Sequence, residues 1–500
     1  MFSKVKSCAV HGVDGRMIDV EADVNDGLPV FTMVGYLSSS VRESSERVRT
    51  ALKNSGFHLP PKRITINLSP ADMRKDGSGY DLAIATAVLL SLGVTAELPM
   101  EQTLVLGELS LDGSIKAIPG VLPMVICARE EGMTSCIVPK ENVQEAALVQ
   151  GISVIGVSSL KETMEYIQGI KEYENTNVEQ PAVDTSEYLY DIDFSDVVGQ
   201  ESIKRGMEIA AAGFHNVLLT GAAGAGKSML AKRLPTILPQ MSFEESLEVT
   251  KIYSVGGMLP PEGGLIHRRP FRAPHHTISE YALIGGGRVP TPGEVSFAHY
   301  GVLFLDELPE FSKPVLEVLR QPLEDRRIRI SRVQASYEFP ADFMFVAAMN
   351  PCPCGNYPDY RRCSCTEQQI RRYQSKVSGP LLDRIDIRME VKGVKQEVLF
   401  SKQKTESSKT IRARVEQARQ MQKERFAGTG LLFNSQLDGK NLEEYITLSE
   451  EGKRLVLQLF EEQELSVRGV HRVLKLARTI ADLAGSEEIE HAHLQEAAFY

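Results

Sequence analysis

The sequence predicts a multidomain α/β protein: an α+β N-terminal unit, an α/β core built around a phosphate-binding loop, and an α-helical C-terminal region. Three observations carry this. The strand-like run Val217-Leu218-Leu219 leads directly into Gly221-Ala222-Ala223-Gly224-Ala225-Gly226-Lys227-Ser228 and then into a helix candidate from Met229 to Leu234, the strand–loop–helix order that such a loop requires. Short apolar runs at 216–220, 302–305 and 343–348 have the length and composition of buried parallel strands, with helical segments between them. From about Lys395 onward the pattern is almost entirely helical.

With 500 residues and roughly 100–200 per domain, two to four folding units are expected. Residues 1–171 combine strand alternation at Ile64, Ile66 and Leu68 with a long apolar helix from Tyr80 to Leu92, hence an α+β domain. Residues 172–192 are acidic, polar and aperiodic and read as a linker. The core follows over 193–394, with a cysteine-rich insertion at 352–365, and the helical region occupies 395–500. No internal repeat of solenoid length is evident.

A hydrophobic content of 42% and a charged content of 24% exclude wholesale disorder and collagen-like structure. The apolar stretch from Leu82 to Ala96 is interrupted by Thr86, Ser91, Gly93 and Thr95 and falls short of the roughly 18–20 residues that cross a bilayer. The first twenty residues lack the apolar segment and cleavage site of a secretory signal. A cytoplasmic protein with no membrane partner is therefore expected. Fifty-six basic against sixty-six acidic residues give a net charge of −10, so any site for a polyanion must be local.

The glycine-rich loop carries the strongest chemical signal. Gly221, Gly224 and Gly226 let successive backbone N–H groups turn toward phosphate oxygens; Lys227 neutralises β and γ charges, and the Ser228 hydroxyl is a magnesium ligand. Gly301-Val302-Leu303-Phe304-Leu305-Asp306-Glu307 reads as a second strand ending in two carboxylates. Asp306 would hold the magnesium and Glu307 would polarise the attacking water. Apolar strands ending in acids are common, so the phosphate loop upstream is what gives this pair meaning. A third strand ends in Asn350, whose amide would position the water or sense the γ-phosphate; standing alone, it reads as a turn residue before Pro351.

Two further basic groups have ordinary alternatives. Arg384 sits between Asp383 and Asp386, which by itself reads as a surface ion pair. On a helix through Ser466 to Lys475, Arg468, Arg472 and Lys475 share one face, opposite Val470, Val473, Leu474, Ala477 and Ala481. A solvated basic face is the alternative there. Four of the seven cysteines, Cys352, Cys354, Cys363 and Cys365, crowd into fourteen positions. They offer four thiolates, enough for a tetrahedral Zn2+ site that would order a loop with little apolar surface. Free thiols and an iron–sulfur centre are the alternatives.

These segments, together with Arg269 to Thr277 (RPFRAPHHT), Asp306 to Phe311 (DELPEF), Ala348 to Gly355 (AMNPCPCG) and Ala477 to Leu483 (ARTIADL), resemble the YifB/ComM family of magnesium-chelatase-like AAA+ ATPases over essentially the whole chain. The resemblance implies ATP and Mg2+ as cofactors and a homohexameric ring with nucleotide between subunits. It makes Asn350 sensor 1, Arg384 a trans-acting arginine finger and Arg468 sensor 2, with Arg472 one turn on as the alternative. It places Val198-Gly199-Gln200 beside the adenine, and it makes the C-terminal region a helical lid.

Within the N-terminal unit, Lys75-Asp76-Gly77-Ser78-Gly79 and Gly107 to Gly113 resemble the proteolytic domain of Lon-type proteases. Those enzymes use a Ser–Lys dyad. Here the nucleophile position reads Gly79 and the lysine position Leu122, while Ser78 has no evident base. A structural role, as an assembly or binding platform, is expected rather than peptidase activity.

Three functions are weighed. The first is an ATP-driven DNA motor acting on single-stranded or branched DNA, which the ComM resemblance ties to branch migration in recombination of incoming DNA, with recombination proteins as partners. The second is chelatase-type remodelling of a protein or tetrapyrrole–metal system, and the third is Lon-like proteolysis. A DNA motor needs basic groups facing a ring pore. Arg320, Arg326, Arg327, Arg329 and Arg332 lie in a hairpin candidate before the third strand, with Arg327, Arg329 and Arg332 the foremost contacts. Arg361, Arg362, Arg371 and Arg372 follow in the cysteine knuckle. For any single arginine, ordinary surface charge or an inter-subunit ion pair is the alternative.

Overall fold

The computed structural model describes residues 1–172, 190–260, 264–332, 335–393, 405–462 and 464–500. Most of the linker, and the start assigned to the helical region at 395, lie outside the described residues.

In the N-terminal unit, β1 (Phe2–His11), β2 (Asp14–Asn25), β3 (Val30–Val34), β4 (Arg63–Ser69), β5 (Thr103–Val105), β6 (Ser135–Pro139) and β7 (Ser153–Val157) form one mixed sheet in the order β3-β4-β2-β1-β5-β6-β7. Ile64, Ile66 and Leu68 of β4 are all buried, as strand alternation demands. Helix Asp81–Ser91 is buried on nearly every side, which explains why its sequence is apolar all round. Its one charge, Asp81, is fully buried and paired with Arg47 at 2.8 Å.

The core sheet is wholly parallel. Its strands are β8 (Val217–Thr220), β9 (Phe271–Arg272), β10 (Val302–Leu305), β13 (Met344–Met349) and β14 (Ile387–Glu390), in the order β9-β10-β13-β8-β14. The three apolar runs of the sequence are its central strands, buried on both faces. A separate antiparallel ribbon, β11 (Arg327–Ser331) and β12 (Ser336–Pro340), precedes β13.

Helices Ser408–Arg425 and Val467–Leu483 of the C-terminal region pack on helix Glu201–Gly213 of the core, where Phe214 stacks on Phe433 with centroids 4.3 Å apart. The N-terminal unit docks on the core by another face. The backbone N–H of Gly120 donates to Ser254 O at 3.0 Å, and Val13 joins Ile252, Phe297 and Phe339 in one apolar cluster. Among the described residues, no helix is long and apolar enough to cross a membrane.

Candidate active site

The phosphate loop leaves the C-terminal end of β8, where open parallel sheets gather their ligands. At Gly221 a side-chain carbon would lie 2.3 Å from the Val391 carbonyl oxygen, so only glycine fits. Gly226 takes a left-handed φ of +94° and starts the helix at Lys227, two residues before the position expected from sequence. The Lys227 ammonium is fully engaged: it donates to Gly221 O at 2.6 Å, to Ala222 O at 2.9 Å and to Asn350 Oδ1 at 3.0 Å. Burial lowers its pKa, because the charged form loses water.

The Ser228 hydroxyl donates to Asp306 Oδ2 at 2.5 Å. A hydroxyl and a carboxylate meeting at the rim of the loop are hard oxygen donors of the kind Mg2+ prefers, so these residues fit that ion. Glu307 is exposed and has a left-handed backbone, φ +53°, with its N–H held by Asp306 Oδ1 at 2.9 Å. That conformation is strained for a residue with a side chain. The carboxylate lies 3.8 Å from Nδ1 of His276. His276 stands out in sequence only as one of a histidine pair in the RPFRAPHHT segment, and nothing in that segment tells which carboxylate it meets. Tyr373 is a second group that sequence reasoning missed. It is buried beside Asn350, and burial pushes its phenol up to about 12.

Arg384 lies at the other end of the sheet. Its carbonyl accepts from Asn216 Nδ2 at 2.8 Å, and Asn216 precedes β8 while Gly221 follows it. Five residues of extended chain span about 16 Å. The Arg384 guanidinium, 10% exposed, is paired with Glu324. Burial, with Arg320 and Arg468 alongside, lowers its pKa. Arg468 is therefore its neighbour. Both line a cavity of about 550 Å3 with Asn216, Glu324, Arg472 and Lys475. Helix Val467–Leu483 keeps most of the expected apolar face, with Val473, Leu474, Ala477 and Ala481 buried and Val470 half-buried, but the basic stripe is not a solvated one: only Arg468 is exposed, Arg472 is half-buried, and Lys475 donates to Ser435 O at 3.0 Å. Arg468 and Arg472 alike lie across the sheet from their own phosphate loop.

The segment Val198-Gly199-Gln200 comes close to the loop through β14. Gln200 donates its side-chain amide to the carbonyl of Lys392, next to the Val391 that packs on Gly221. The four cysteines also converge. Cys352 and Cys354 sulfurs are 3.4 Å apart, Cys352 and Cys363 3.8 Å, Cys354 and Cys363 3.6 Å, and all four lie within 4.8 Å of one another. A tetrahedron of Zn–S bonds of about 2.3 Å has edges of about 3.8 Å. The set fits zinc, and the Tyr357 N–H donates to Cys352 Sγ at 3.4 Å.

The ribbon candidate is present, but with fewer of its arginines than expected. Arg320 opens helix Arg320–Asp325 and Arg326 caps it, so neither is on the ribbon. Arg327 and Arg329 both pair with Glu338, at 2.7 and 3.2 Å, and Arg332 donates to Gly287 O at 3.1 Å. The ribbon also leans on the N-terminal unit: Tyr337 stacks on His11 at 4.5 Å. Arg361 and Arg362 are exposed in the cysteine segment, whereas Arg371 and Arg372 belong to helix Glu367–Gln374.

In the N-terminal unit Leu122 is fully buried, and a side-chain carbon at Gly79 would lie 3.1 Å from Ile118 Cδ1. The Ser78 hydroxyl donates to the Glu108 carboxylate, and no lysine stands as its partner among the described residues. Lys75, three residues earlier, is fully buried and donates to the carbonyls of Pro70 and Met73, so its ammonium is engaged by the backbone rather than by Ser78.

Comparison with known proteins gives the family of the chain. Residues 193–399 match the family described as magnesium chelatase, subunit ChlI; residues 20–142 match subunit ChlI of Mg-chelatase, and residues 405–500 the ChlI C-terminal family. The chain is 41% identical over 502 residues to the uncharacterized protein YifB of Escherichia coli, covering 100% of this chain and 96% of that one. It is 40% identical over 502 residues to the competence protein ComM of Haemophilus influenzae, covering 99% and 96%. Lon protease 2 of Bacillus subtilis is 30% identical over 183 residues, covering 33% of this chain and 32% of that one.

Proposed function

Because the chain belongs to the YifB/ComM family of magnesium-chelatase-like AAA+ ATPases, we propose that it is a homohexameric, ATP-driven DNA motor, a branch-migration helicase in the recombination of incoming DNA. The observation that carries the ring is the separation of Arg384 and Arg468 from their own phosphate loop by the length of β8. A guanidinium at that distance serves no γ-phosphate of its own chain. Carried by a neighbour, it completes a site at the subunit interface, and hydrolysis then depends on assembly.

The chemistry divides among named groups. Lys227 exchanges its contacts with the Gly221 and Ala222 carbonyls for phosphate oxygens. Ser228 and Asp306 would hold Mg2+, which supplies charge neutralisation when bound. Glu307 accepts a proton from the attacking water, and Asn350 orients the γ-phosphoryl while touching Lys227. Val198 and Gly199 border the base. Arg384 and Arg468 of the neighbouring subunit stabilise the charge that develops in transfer. Zn2+ on Cys352, Cys354, Cys363 and Cys365 is a structural cofactor.

Support for DNA comes from the competence protein among the relatives and from exposed arginines on the ribbon and cysteine segment. With a net charge of −10, such a motor grips DNA through short basic elements gathered around one pore. Chelatase-type remodelling is the second reading, favoured by the family matches alone. Lon-like proteolysis is disfavoured by Gly79, Leu122 and the engaged Lys75. The discriminating experiment is ATPase activity with and without single-stranded and four-way branched DNA, alongside strand displacement. Strong stimulation and displacement are expected; turnover indifferent to every DNA would refute the motor.

A further inference from the structure

The four-cysteine knuckle stands against the nucleotide site. Cys352 lies two residues after Asn350, and Asn350 accepts the hydrogen bond of Lys227 at 3.0 Å. Within the knuckle, Gly355 has a left-handed φ of +80°. A side-chain carbon there would lie 3.5 Å from the backbone nitrogen of Ala223 and 3.9 Å from the amide carbon of Asn350. One turn of chain therefore lies beside both the loop that receives the phosphates and the amide that contacts its lysine.

Little besides the sulfurs orders that turn. Between Cys352 and Cys365 only Cys352 and Gly355 are buried, while Pro358, Asp359, Tyr360, Arg361 and Arg362 are exposed. Apolar burial is too small to fix such a loop, and four sulfurs within 4.8 Å of one another gain their cohesion from a cation. We propose that metal occupancy of this knuckle sets the nucleotide affinity of the phosphate loop: the filled knuckle braces Ala223 and Asn350, and the emptied knuckle releases them. This rests on the zinc reading above. With the brace gone, the loop must be ordered when nucleotide binds, and fixing the backbone of even one residue corresponds to a roughly tenfold loss of affinity.

The test uses the full chain, with zinc measured by elemental analysis and affinity by titration of a fluorescent ADP analogue at constant Mg2+. Hydrogen exchange of the 221–226 amides is followed in parallel. About one zinc per chain is expected. Its removal by chelation, or by Cys363→Ser, should weaken binding roughly tenfold and speed exchange of the loop, and Zn2+ but not extra Mg2+ should restore the chelated protein. Chelated protein that keeps its circular dichroism, its affinity and its loop protection would overturn the coupling while leaving the zinc site standing. Protein prepared without chelator that contains no zinc would overturn both.

Discussion

Replacing Arg384 by Ala tests the central claim most directly, because the structure makes two very different magnitudes available. Arg384 is anchored through its backbone at Asn216, so acting on its own subunit it would have to work across the span of β8, about 16 Å from Asn216 to Gly221. At that separation in water the Coulomb energy of two unit charges is about 0.3 kcal/mol, less than a factor of two in rate. Supplied by a neighbour in direct contact, an arginine finger is worth about 10³–10⁵ in kcat. The expected result is therefore a fall of at least about 10³ in steady-state ATPase, with nucleotide affinity within a few-fold of the parent, because Lys227 and the loop are untouched. Assembly would be checked by sizing, since Arg384 also pairs with Glu324. Mixing the variant with Glu307→Gln should recover activity, because mixed rings contain interfaces with an intact glutamate on one side and an intact arginine on the other. An effect of twofold or less in an assembled ring, or no recovery where mixed rings demonstrably form, would refute the trans assignment.

Three further outcomes follow from the same geometry. Lys227→Ala should abolish nucleotide binding in an equilibrium titration, whereas Glu307→Gln should retain binding and stop turnover; equal loss of binding in both would contradict the division of labour. Replacing Arg327, Arg329 and Arg332 together by Ala leaves Glu338 without its two partners, and should weaken single-stranded and branched DNA roughly uniformly while flattening the salt dependence, with basal ATPase preserved. Unchanged anisotropy titrations would move the DNA site to the exposed Arg361 and Arg362. The parent protein should show no ATP-dependent casein degradation, and degradation lost on Ser78→Ala would reverse the reading of the N-terminal unit.

Much of the nucleotide site was legible because its chemistry is local. A phosphate loop needs a strand before it and a helix after it, so Gly221 to Ser228 declared itself within one stretch of chain, as did Asp306 and Glu307 at the end of a fully apolar strand. Buried parallel strands are apolar runs, and β8, β10 and β13 were visible as such. The edge strands were not. β9 has only two residues, and β14, though four long like β8 and β10, alternates Arg388 and Glu390 with Ile387 and Met389 and so is no apolar run. The β1–β2 hairpin was likewise outside what alternation at Ile64 to Leu68 could suggest.

Sequence by itself determined which residue types stand at the ends of which strands, and hence the class of chemistry. Tertiary structure decided what faces what. Asn350 meets Lys227 across 123 positions of chain only because β13 pairs with β8 rather than with β14. Arg384 and Arg468 share a cavity at the entry end of the sheet, and Glu307 meets His276, through long-range packing that no spacing of residues records. Arg327 and Arg329 read in sequence as candidate DNA contacts, but which carboxylate they meet is set by cross-strand register, which gives both of them to Glu338. The physical reason is the same each time: local sequence encodes dihedral preference and burial, whereas the partner of a charge is chosen by strand order and register, which are properties of the whole sheet.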